Sequence, residues 1–348
     1  MAIYTNIDNS KLYQNSIIYT GDDGTRNITE ADTFQADLVW LKRRNAAVSH
    51  HLVDSVRGAT KAIYSNATGV EATDSAGVTG FVANGFSLGA QGGYNDTGTF
   101  VSWTWKAGTS FTNDASATGI GSIDSSGSVN TDAGFSIISY TGNATTNATV
   151  AHGLGVAPSM MIVKKRNGAF NWGIYHKTLT AHKLITFTTR TPDDDASYWN
   201  DVEPTSSVFN LGSGALTNGS GSTMIAYCFA EKKGYSKFGS YTGNGNADGT
   251  FIYTGFKPAW LLVKSTAAND WILHDTKRNP HNVSNVILHP NASDADVTNT
   301  IYNLDILSNG FKTRTTHARL NGSGVTYIYM AFAENPFVTS TGVPATAR

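Results

Sequence analysis

The sequence predicts an all-β protein built from tandem antiparallel β-sandwich-like repeats. The first observation is a phrase that occurs three times: a Tyr-Thr-Gly turn, followed further along by an unbroken apolar run that ends in lysine. The second is the composition, which is only 15% charged but contains 35 Gly, 16 Phe and 15 Tyr, as is typical of short strands and tight turns. The copies of the phrase are Tyr19-Thr20-Gly21 with residues 38–42, Tyr140-Thr141-Gly142 with residues 160–164, and Tyr241-Thr242-Gly243 with residues 260–264. An internal repeat fixes the architecture before any motif is considered.

The apolar run opens each repeat, and it is apolar at every position up to the lysine. A strand without alternation is buried on both faces, so we expect this strand to be central in its sheet.

A closing strand ends each repeat, within residues 99–106, 223–230 and 326–333. Alternate positions on one face are large and apolar, which predicts that this face packs on a core. Cys228 falls on the opposite, smaller face, where a packing role is favoured over a nucleophilic one. Between the two strands, Asn84-Gly85 and Asn309-Gly310 precede aromatic residues and indicate hairpin turns.

The predicted organisation is an N-terminal arm, three β repeats, one linker and a C-terminal tail. The linker is rich in Ser, Gly and Asn, but its recurring isoleucines favour one or two short edge strands over disorder. We expect the arm to pair with another element or chain. The boundaries are residues 1–15 for the arm, 16–108 for repeat 1, 109–136 for the linker, 137–236 for repeat 2, 237–337 for repeat 3 and 338–348 for the tail.

Bulk properties exclude several classes of protein. The formal net charge of −1 does not suit a nucleic-acid binder. A single cysteine excludes an intramolecular disulfide, and no apolar run is long enough to insert into a membrane. Residues 1–15 lack the basic start and apolar core of a secretory signal, so we expect folding in a cytoplasm.

Candidates for chemistry fall on equivalent repeat positions. Asp54, His176 and Asp275 share one position and suggest a structural hydrogen bond, while Glu231 and Glu334 follow equivalent closing strands. An active site rarely occurs twice in one chain, and no nucleophile-elbow, Walker or dinucleotide motif is present. We therefore predict no catalytic residue, no metal site, no cofactor and no enzymatic activity.

The densest polar and aromatic cluster lies in the second repeat, where the three copies differ most. A solvated loop is one interpretation of it, and binding of a cation or a sugar ring is the other. The candidate ligand-binding residues are Asp193, Asp195, Tyr198 and Trp199.

Several longer motifs resemble a module of tailed phages, especially marine ones, and the resemblance extends from about residue 16 through nearly the whole chain. Such modules often form the distal part of tail fibres or other virion-surface proteins, and the family supplies no catalytic residues. Little sequence precedes the module here, which argues against a long fibre shaft. The motifs are VDSVRGATK (53–61), GFSLG (85–89), WTWKAG (103–108), HGLGVAP (152–158), AYCFAE (226–231) and YIYMAFAENPF (327–337).

The resemblance implies a non-enzymatic virion structural protein on the particle surface, of the tail-fibre or receptor-binding type, assembled in the host cytoplasm. We expect contacts with other virion proteins through residues 1–15, a homo-oligomer with a trimer favoured, and adhesion to a host cell-surface glycan. Two alternatives stay open: a capsid decoration protein that stabilises the head shell, and a polysaccharide depolymerase. The depolymerase would need two carboxylates facing each other across a cleft.

Overall fold

The computed structural model describes residue 5 and residues 7–336 and confirms the predicted all-β fold. The described residues form antiparallel sheets, and the α-helices among them are single turns. The predicted tail, residues 338–348, and residues 1–4 and 6 of the predicted arm lie outside the described residues.

Repeat 1 contains a larger sheet in the order β1-β9-β3-β4-β5-β6 and a smaller one in the order β2-β8-β7. A 3₁₀ turn at Ser10–Leu12 precedes them. The strands are β1 (Gln14–Thr20), β2 (Arg26–Ile28), β3 (Leu38–Arg43), β4 (His51–Asp54), β5 (Lys61–Tyr64), β6 (Ala72–Thr73), β7 (Val78–Val82), β8 (Gly85–Leu88) and β9 (Thr99–Trp105).

The predicted linker forms a hairpin on the edge of the second repeat. Its elements are β10 (Thr109–Asn113), α1 (Ala115–Thr118) and β11 (Ser125–Asn130). Repeat 2 adds β12 (Phe135–Thr141), β13 (Ala148–Ala151), β14 (Met160–Lys165), β15 (Gly173–His176), β16 (Lys183–Leu184), β17 (Asp193–Asp194), α2 (Ala196–Trp199), β18 (Val208–Leu211), α3 (Ala215–Asn218) and β19 (Thr223–Phe229). The larger sheet runs β10-β11-β12-β19-β14-β15, and the smaller sheet is β13-β18.

Repeat 3 has a larger sheet, β20-β28-β22-β23, and a smaller one, β21-β27-β26. A 3₁₀ turn lies at Thr300–Tyr302. The strands are β20 (Ser236–Thr242), β21 (Phe251–Tyr253), β22 (Pro258–Ser265), β23 (Trp271–Asp275), β24 (Val286–Ile287), β25 (Val297–Thr298), β26 (Leu304–Leu307), β27 (Gly310–Thr313) and β28 (Thr326–Ala333).

The same four-strand order recurs in the three larger sheets. The closing strand always lies between the first strand and the opening strand, as in β1-β9-β3-β4, β12-β19-β14-β15 and β20-β28-β22-β23. The opening strands β3, β14 and β22 are therefore central, and they are buried on both faces as their apolar sequences predict.

Each larger sheet buries its two faces differently. One face packs against the smaller sheet of its own repeat, as Val39 and Val53 pack with Phe86 in repeat 1. The other face joins one hydrophobic cluster that all three repeats share, including Trp103, Tyr227 and Met330. In each repeat the larger and smaller sheets thus form a β-sandwich. The remaining, inner faces of the three larger sheets meet along a common line, which we call the axis.

Aromatic side chains fill the axis at both ends. Phe187 lies among one tryptophan from each repeat, with ring centroids 5.8 Å from Trp40, 5.7 Å from Trp172 and 5.1 Å from Trp271. At the opposite end, Phe332 contacts another aromatic set from all three repeats: Trp105, Phe229 and Trp260. Such rings bury large areas and favour these edge-on contacts, so the axis holds the repeats together.

The Tyr-Thr-Gly phrase has the same structural role in each copy. The tyrosine hydroxyl donates to a carbonyl in the loop before the closing strand: Tyr19 to Tyr94 at 2.6 Å, Tyr140 to Thr217 at 2.6 Å and Tyr241 to Leu320 at 2.8 Å. The glycine that follows passes close to that loop. The phrase therefore joins the end of the first strand to the start of the closing strand.

The described part of the predicted arm packs on its own chain. Ile7 is buried in the shared cluster, and Gln14 and Asn15 already belong to β1. Asp8 stays exposed.

Candidate functional site

The four predicted ligand-binding residues lie in different environments. Asp193 is in β17 and faces Arg190 at 3.5 Å, while the Asp195 carboxylate caps α2 by accepting from the Ser197 backbone N–H at 2.8 Å. Trp199 is only 1% exposed, and its ring stands edge-on to Tyr175 at 6.1 Å. Tyr198 is partly buried against the hydrophobic cluster that contains Trp199 and Tyr175. Asp193 and Asp195 lie near enough to Tyr198 for their charges to raise its pKa, after the larger effect of burial, whereas Trp199 is buried away from the surface. Ligand binding by these residues stays a prediction.

Cys228 is fully buried on the small-residue face of β19. Burial raises the pKa of its thiol to about 12, although the Ser136 hydroxyl lowers it somewhat. The thiol therefore stays protonated at neutral pH, where a nucleophilic cysteine would need its thiolate.

The position shared by Asp54, His176 and Asp275 holds each repeat to the next. Asp54 of repeat 1 accepts a hydrogen bond from the Tyr227 hydroxyl of repeat 2 at 2.7 Å. Asp275 of repeat 3 accepts one from the Trp103 indole N–H of repeat 1 at 3.2 Å.

His176 makes the corresponding contact from repeat 2 to repeat 3. Its Nε2 lies 3.1 Å from the Tyr329 carbonyl oxygen, and Nε2 must carry the proton because a carbonyl only accepts. Burial lowers the pKa of His176 to about 4, so the ring is neutral. The three contacts join repeats 1 to 2, 2 to 3 and 3 to 1, and they close a ring.

Two of the three junctions also contain a chain of charges that starts at a buried aspartate–arginine pair and ends at a partly exposed arginine. Arg57 contacts Asp54 at 2.5 Å and Glu71 at 3.1 Å, and Glu71 contacts Arg166 of repeat 2 at 2.9 Å. The equivalent chain links repeat 3 to repeat 1 through Asp275, Arg278, Asp296 and Arg44, with contacts of 2.5, 3.0 and 2.8 Å. Leu179 occupies the equivalent arginine position between repeats 2 and 3.

Glu231 and Glu334 are paired with lysines. Glu231 contacts Lys177 at 2.5 Å and Lys237 at 2.6 Å, and Glu334 contacts Lys257 at 2.6 Å. Burial pushes the pKa of Glu231 upward, but the two lysines outweigh this and lower it overall. A general acid near neutral pH needs a raised carboxyl pKa, so Glu231 is not suited to that role.

The lysine that follows the apolar run of each opening strand is buried, and its ammonium group donates to backbone carbonyls. Lys42 donates to Ala46 at 3.1 Å, Lys264 donates to Ala267 at 3.0 Å, and Lys164 donates to Thr68 at 2.9 Å. Burial lowers the pKa of each of these lysines to about 8. These contacts fix the loops at the Phe187 end of the axis.

A cavity of about 480 Å³ opens at this end of the axis, beside Phe187. We call it the axial cavity. Loops of all three repeats form it, and its lining residues are Ser65, Asn66, Ala67, Thr68, Asn171, Phe187, Thr188, Thr189 and Asn291. The sequence alone did not indicate this cavity, because its lining residues are far apart in the chain and form no motif.

Neither a metal cluster nor a membrane-spanning helix is found in the described part of the chain. Within residues 5 and 7–336, no group of three or more His, Cys, Asp or Glu side chains could hold a metal ion. The same residues contain no helix long and apolar enough to cross a membrane.

A family model described as a domain of unknown function, DUF7483, matches residues 8–336. The chain belongs to the DUF7483 family. The match covers all three repeats and the linker hairpin. One DUF7483 domain therefore corresponds to the whole ring of three repeats, and not to a single repeat. Neither a search of curated proteins nor a search of solved structures found a match.

Proposed function

We propose that this chain is a non-enzymatic structural protein of a tailed-phage particle, exposed on the particle surface. The observation that carries the proposal is the shared core, which fuses three repeats around one axis. The residues that first suggested chemistry contribute to this assembly: Asp54 and Asp275 bind the neighbouring repeat, and Glu231 is held by lysines. The motif resemblance to phage virion-surface modules supplies the particle context.

The position of the loops supports a role in adhesion. Loops carry recognition where a rigid scaffold positions them, and the axis supplies such a scaffold. The hairpin of residues 109–130 belongs to repeat 2 alone, so the surfaces of the repeats differ while their inner faces match. Under this proposal the inner faces provide stability and the unequal outer segments provide contacts with a host surface glycan or with other virion proteins.

Attachment through residues 1–15 and assembly as a homo-oligomer, with a trimer favoured, belong to the same proposal. Ile7 anchors this segment to the fold, which leaves Asp8 and the half-exposed Lys11 available to a neighbouring subunit. Cross-linking of intact particles with a lysine-reactive reagent, followed by mass spectrometry, should yield cross-links from Lys11 to another subunit.

The decisive test is the protein's presence in purified particles. Particles from a host culture that expresses the gene are purified by density gradient, and their proteins are identified by mass spectrometry. We expect the chain at structural stoichiometry, and gold-labelled antibody should locate it on the particle surface. Labelling of the head would favour the decoration role, and labelling of the tail would favour the fibre role. Absence from particles would refute both.

A further inference from the structure

The axial cavity has the size and the uncharged lining of a small-molecule site. Repeat 1 contributes residues 65–68, repeat 2 contributes Asn171 and residues 187–189, and repeat 3 contributes Asn291. None of these lining residues is charged. Its volume of about 480 Å³ lies within the range of roughly 300–1,000 Å³ that small-molecule sites occupy.

Hydrogen bonds outside the cavity hold much of its rim in place. The Asn66 side-chain oxygen accepts from the His50 backbone N–H at 2.9 Å, and the Asn291 oxygen accepts from the Trp271 N–H at 2.8 Å. The Ser65 hydroxyl donates to the Pro290 carbonyl at 2.6 Å and so ties repeat 1 to repeat 3. A rim fixed in this way loses little conformational entropy when a ligand binds.

Other polar groups of the rim are available. The Asn171 amide and the hydroxyls of Thr68 and Thr189 make no side-chain hydrogen bond to any residue that the structure describes. Thr68 and Thr189 are exposed, and Asn171 is half-exposed. An amide offers both donors and an acceptor, and a hydroxyl offers one donor and two lone pairs. The cavity therefore presents neutral groups of both kinds.

A nearly buried aromatic ring, only 4% exposed, forms a firm base beneath the cavity. Phe187 is held among Trp40, Trp172 and Trp271, so it cannot move away from the cavity without disturbing the core. The equivalent positions in the other repeats are Ser65 and Pro290, and the ring therefore occurs once at the axis. Apart from Phe187 and Ala67, the lining residues are polar, so the cavity presents a mainly neutral polar surface.

We propose that the axial cavity binds a short neutral oligosaccharide. A sugar offers several hydroxyls, each a donor and an acceptor, to the free amide and hydroxyl groups of the rim. A charged saccharide would lose hydration in a lining that holds no opposite charge, so it would bind more weakly. The inference rests on the proposed surface role, for which it names the ligand class.

The experiment uses the full chain and a panel of neutral probes: maltoheptaose, isomaltoheptaose, mannohexaose and galactotetraose, with oligogalacturonate as the charged comparison. Binding is measured by saturation-transfer NMR and titration calorimetry at 50 and 500 mM NaCl. We expect at least one neutral probe to bind with less than a twofold change between the two salt concentrations, and oligogalacturonate to bind at least tenfold more weakly.

Two variants locate the binding. Ala67→Trp fills the mouth of the cavity and should weaken binding at least tenfold, and Asn171→Ala removes the free amide and should weaken it three- to tenfold. Asn309→Ala is the matched control, because Asn309 is an exposed asparagine in the β26–β27 turn, outside the cavity lining. Its affinity should stay within twofold of wild type, and thermal unfolding of each variant verifies the fold.

Two outcomes would overturn the inference: no neutral probe bound at 10 mM, or binding that Ala67→Trp leaves unchanged in a folded protein. Either result would leave the proposed particle role standing, because mass spectrometry of purified particles tests that role separately. Conversely, axial binding by a chain that is absent from particles would refute the particle role and retain the site.

Discussion

At the scale of single residues, the position shared by Asp54, His176 and Asp275 shows why equivalent repeats carry different side chains. The facing position on the next closing strand is Tyr227 or Trp103 at two junctions, and both side chains donate a hydrogen bond to a carboxylate. At the third junction the equivalent residue is Met330, which has no donor. His176 fits there because its own N–H can donate to a backbone carbonyl. Alignment of the repeats predicted a structural hydrogen bond, but the partners lie more than 150 positions away in the chain and no local pattern names them.

Replacement of Tyr227 by Phe should test this contact. The change removes the hydroxyl that donates to Asp54 and keeps the ring, so Asp54 loses one partner in a buried site. We expect the free energy of unfolding to fall by about 2 kcal/mol, measured by urea denaturation. Met330→Leu, at the equivalent position, is the control and should cost less than about 1.5 kcal/mol. An equal loss in both variants would contradict a specific role for the hydroxyl.

The three buried lysines should make the protein more stable as the pH rises from 8 to 10. Burial lowers their folded-state pKa from 10.5 to about 8. Below pH 8 each lysine is protonated in both the folded and the unfolded protein. Between pH 8 and 10.5 the lysine is protonated only in the unfolded protein, so a rising pH favours the folded state. Cys228 opposes this above pH 9, and the buried tyrosines oppose it above pH 10, because burial raises their pKa values.

Urea denaturation at pH 7.5, 8.5 and 9.5 measures the effect. The free energy of unfolding should increase across this series, and in Lys264→Met the increase should be about one third smaller, because one of three equivalent lysines is gone. A slope that the substitution does not change would show that these lysines do not cause it.

At the scale of elements, the recurring phrases were predicted well because each carries its signal locally. The opening strands are apolar at every position, and they are central as expected. Single-turn helices such as Ala196–Trp199 and two-residue strands such as Lys183–Leu184 were not predicted, because they are too short to show a period. The sequence identified the Tyr-Thr-Gly turn, but not the loop that its tyrosine contacts.

The glycine of that turn gives a prediction for this element. A Cβ on Gly142 would lie 2.5 Å from the Gly219 carbonyl oxygen, which is closer than real Cβ atoms come. Gly142→Ala should therefore lower the melting temperature through overpacking of about 1–3 kcal/mol. Gly69→Ala is the control, because a Cβ there meets nothing within 4 Å. Differential scanning fluorimetry compares the two, and similar melting temperatures would contradict the close approach.

At the scale of the whole molecule, the repeats depend on one another. The sequence predicted three sandwich-like repeats and which faces of their strands are buried. It could not show that the large apolar faces of all three pack together, since a face that packs on its own repeat and one that packs on a neighbour have the same alternation. Trp103, for instance, reads as a core residue of repeat 1, yet its indole N–H binds Asp275 of repeat 3. The axial cavity was missed for the same reason.

A shared core predicts one cooperative unfolding transition for the whole chain. Scanning calorimetry should give a single peak whose calorimetric and van't Hoff enthalpies agree. Trp260→Ala, in repeat 3, should shift that whole peak by about 3–5 kcal/mol of stability, because Trp260 packs on Trp40 and Trp105 of repeat 1. Two or three resolved peaks, with only one displaced by the substitution, would instead indicate independent domains.

The junction between the last and first repeats also has a consequence for synthesis. Asp275 and Asp296 leave the ribosome long after Trp103 and Arg44, the residues that they bind. The first repeat therefore emerges with a tryptophan-rich face that lacks its third-repeat partners until translation is nearly complete, and exposed faces of this kind promote aggregation. A chaperone that shields this face during elongation, or a fast rate of translation, should raise the yield of folded protein.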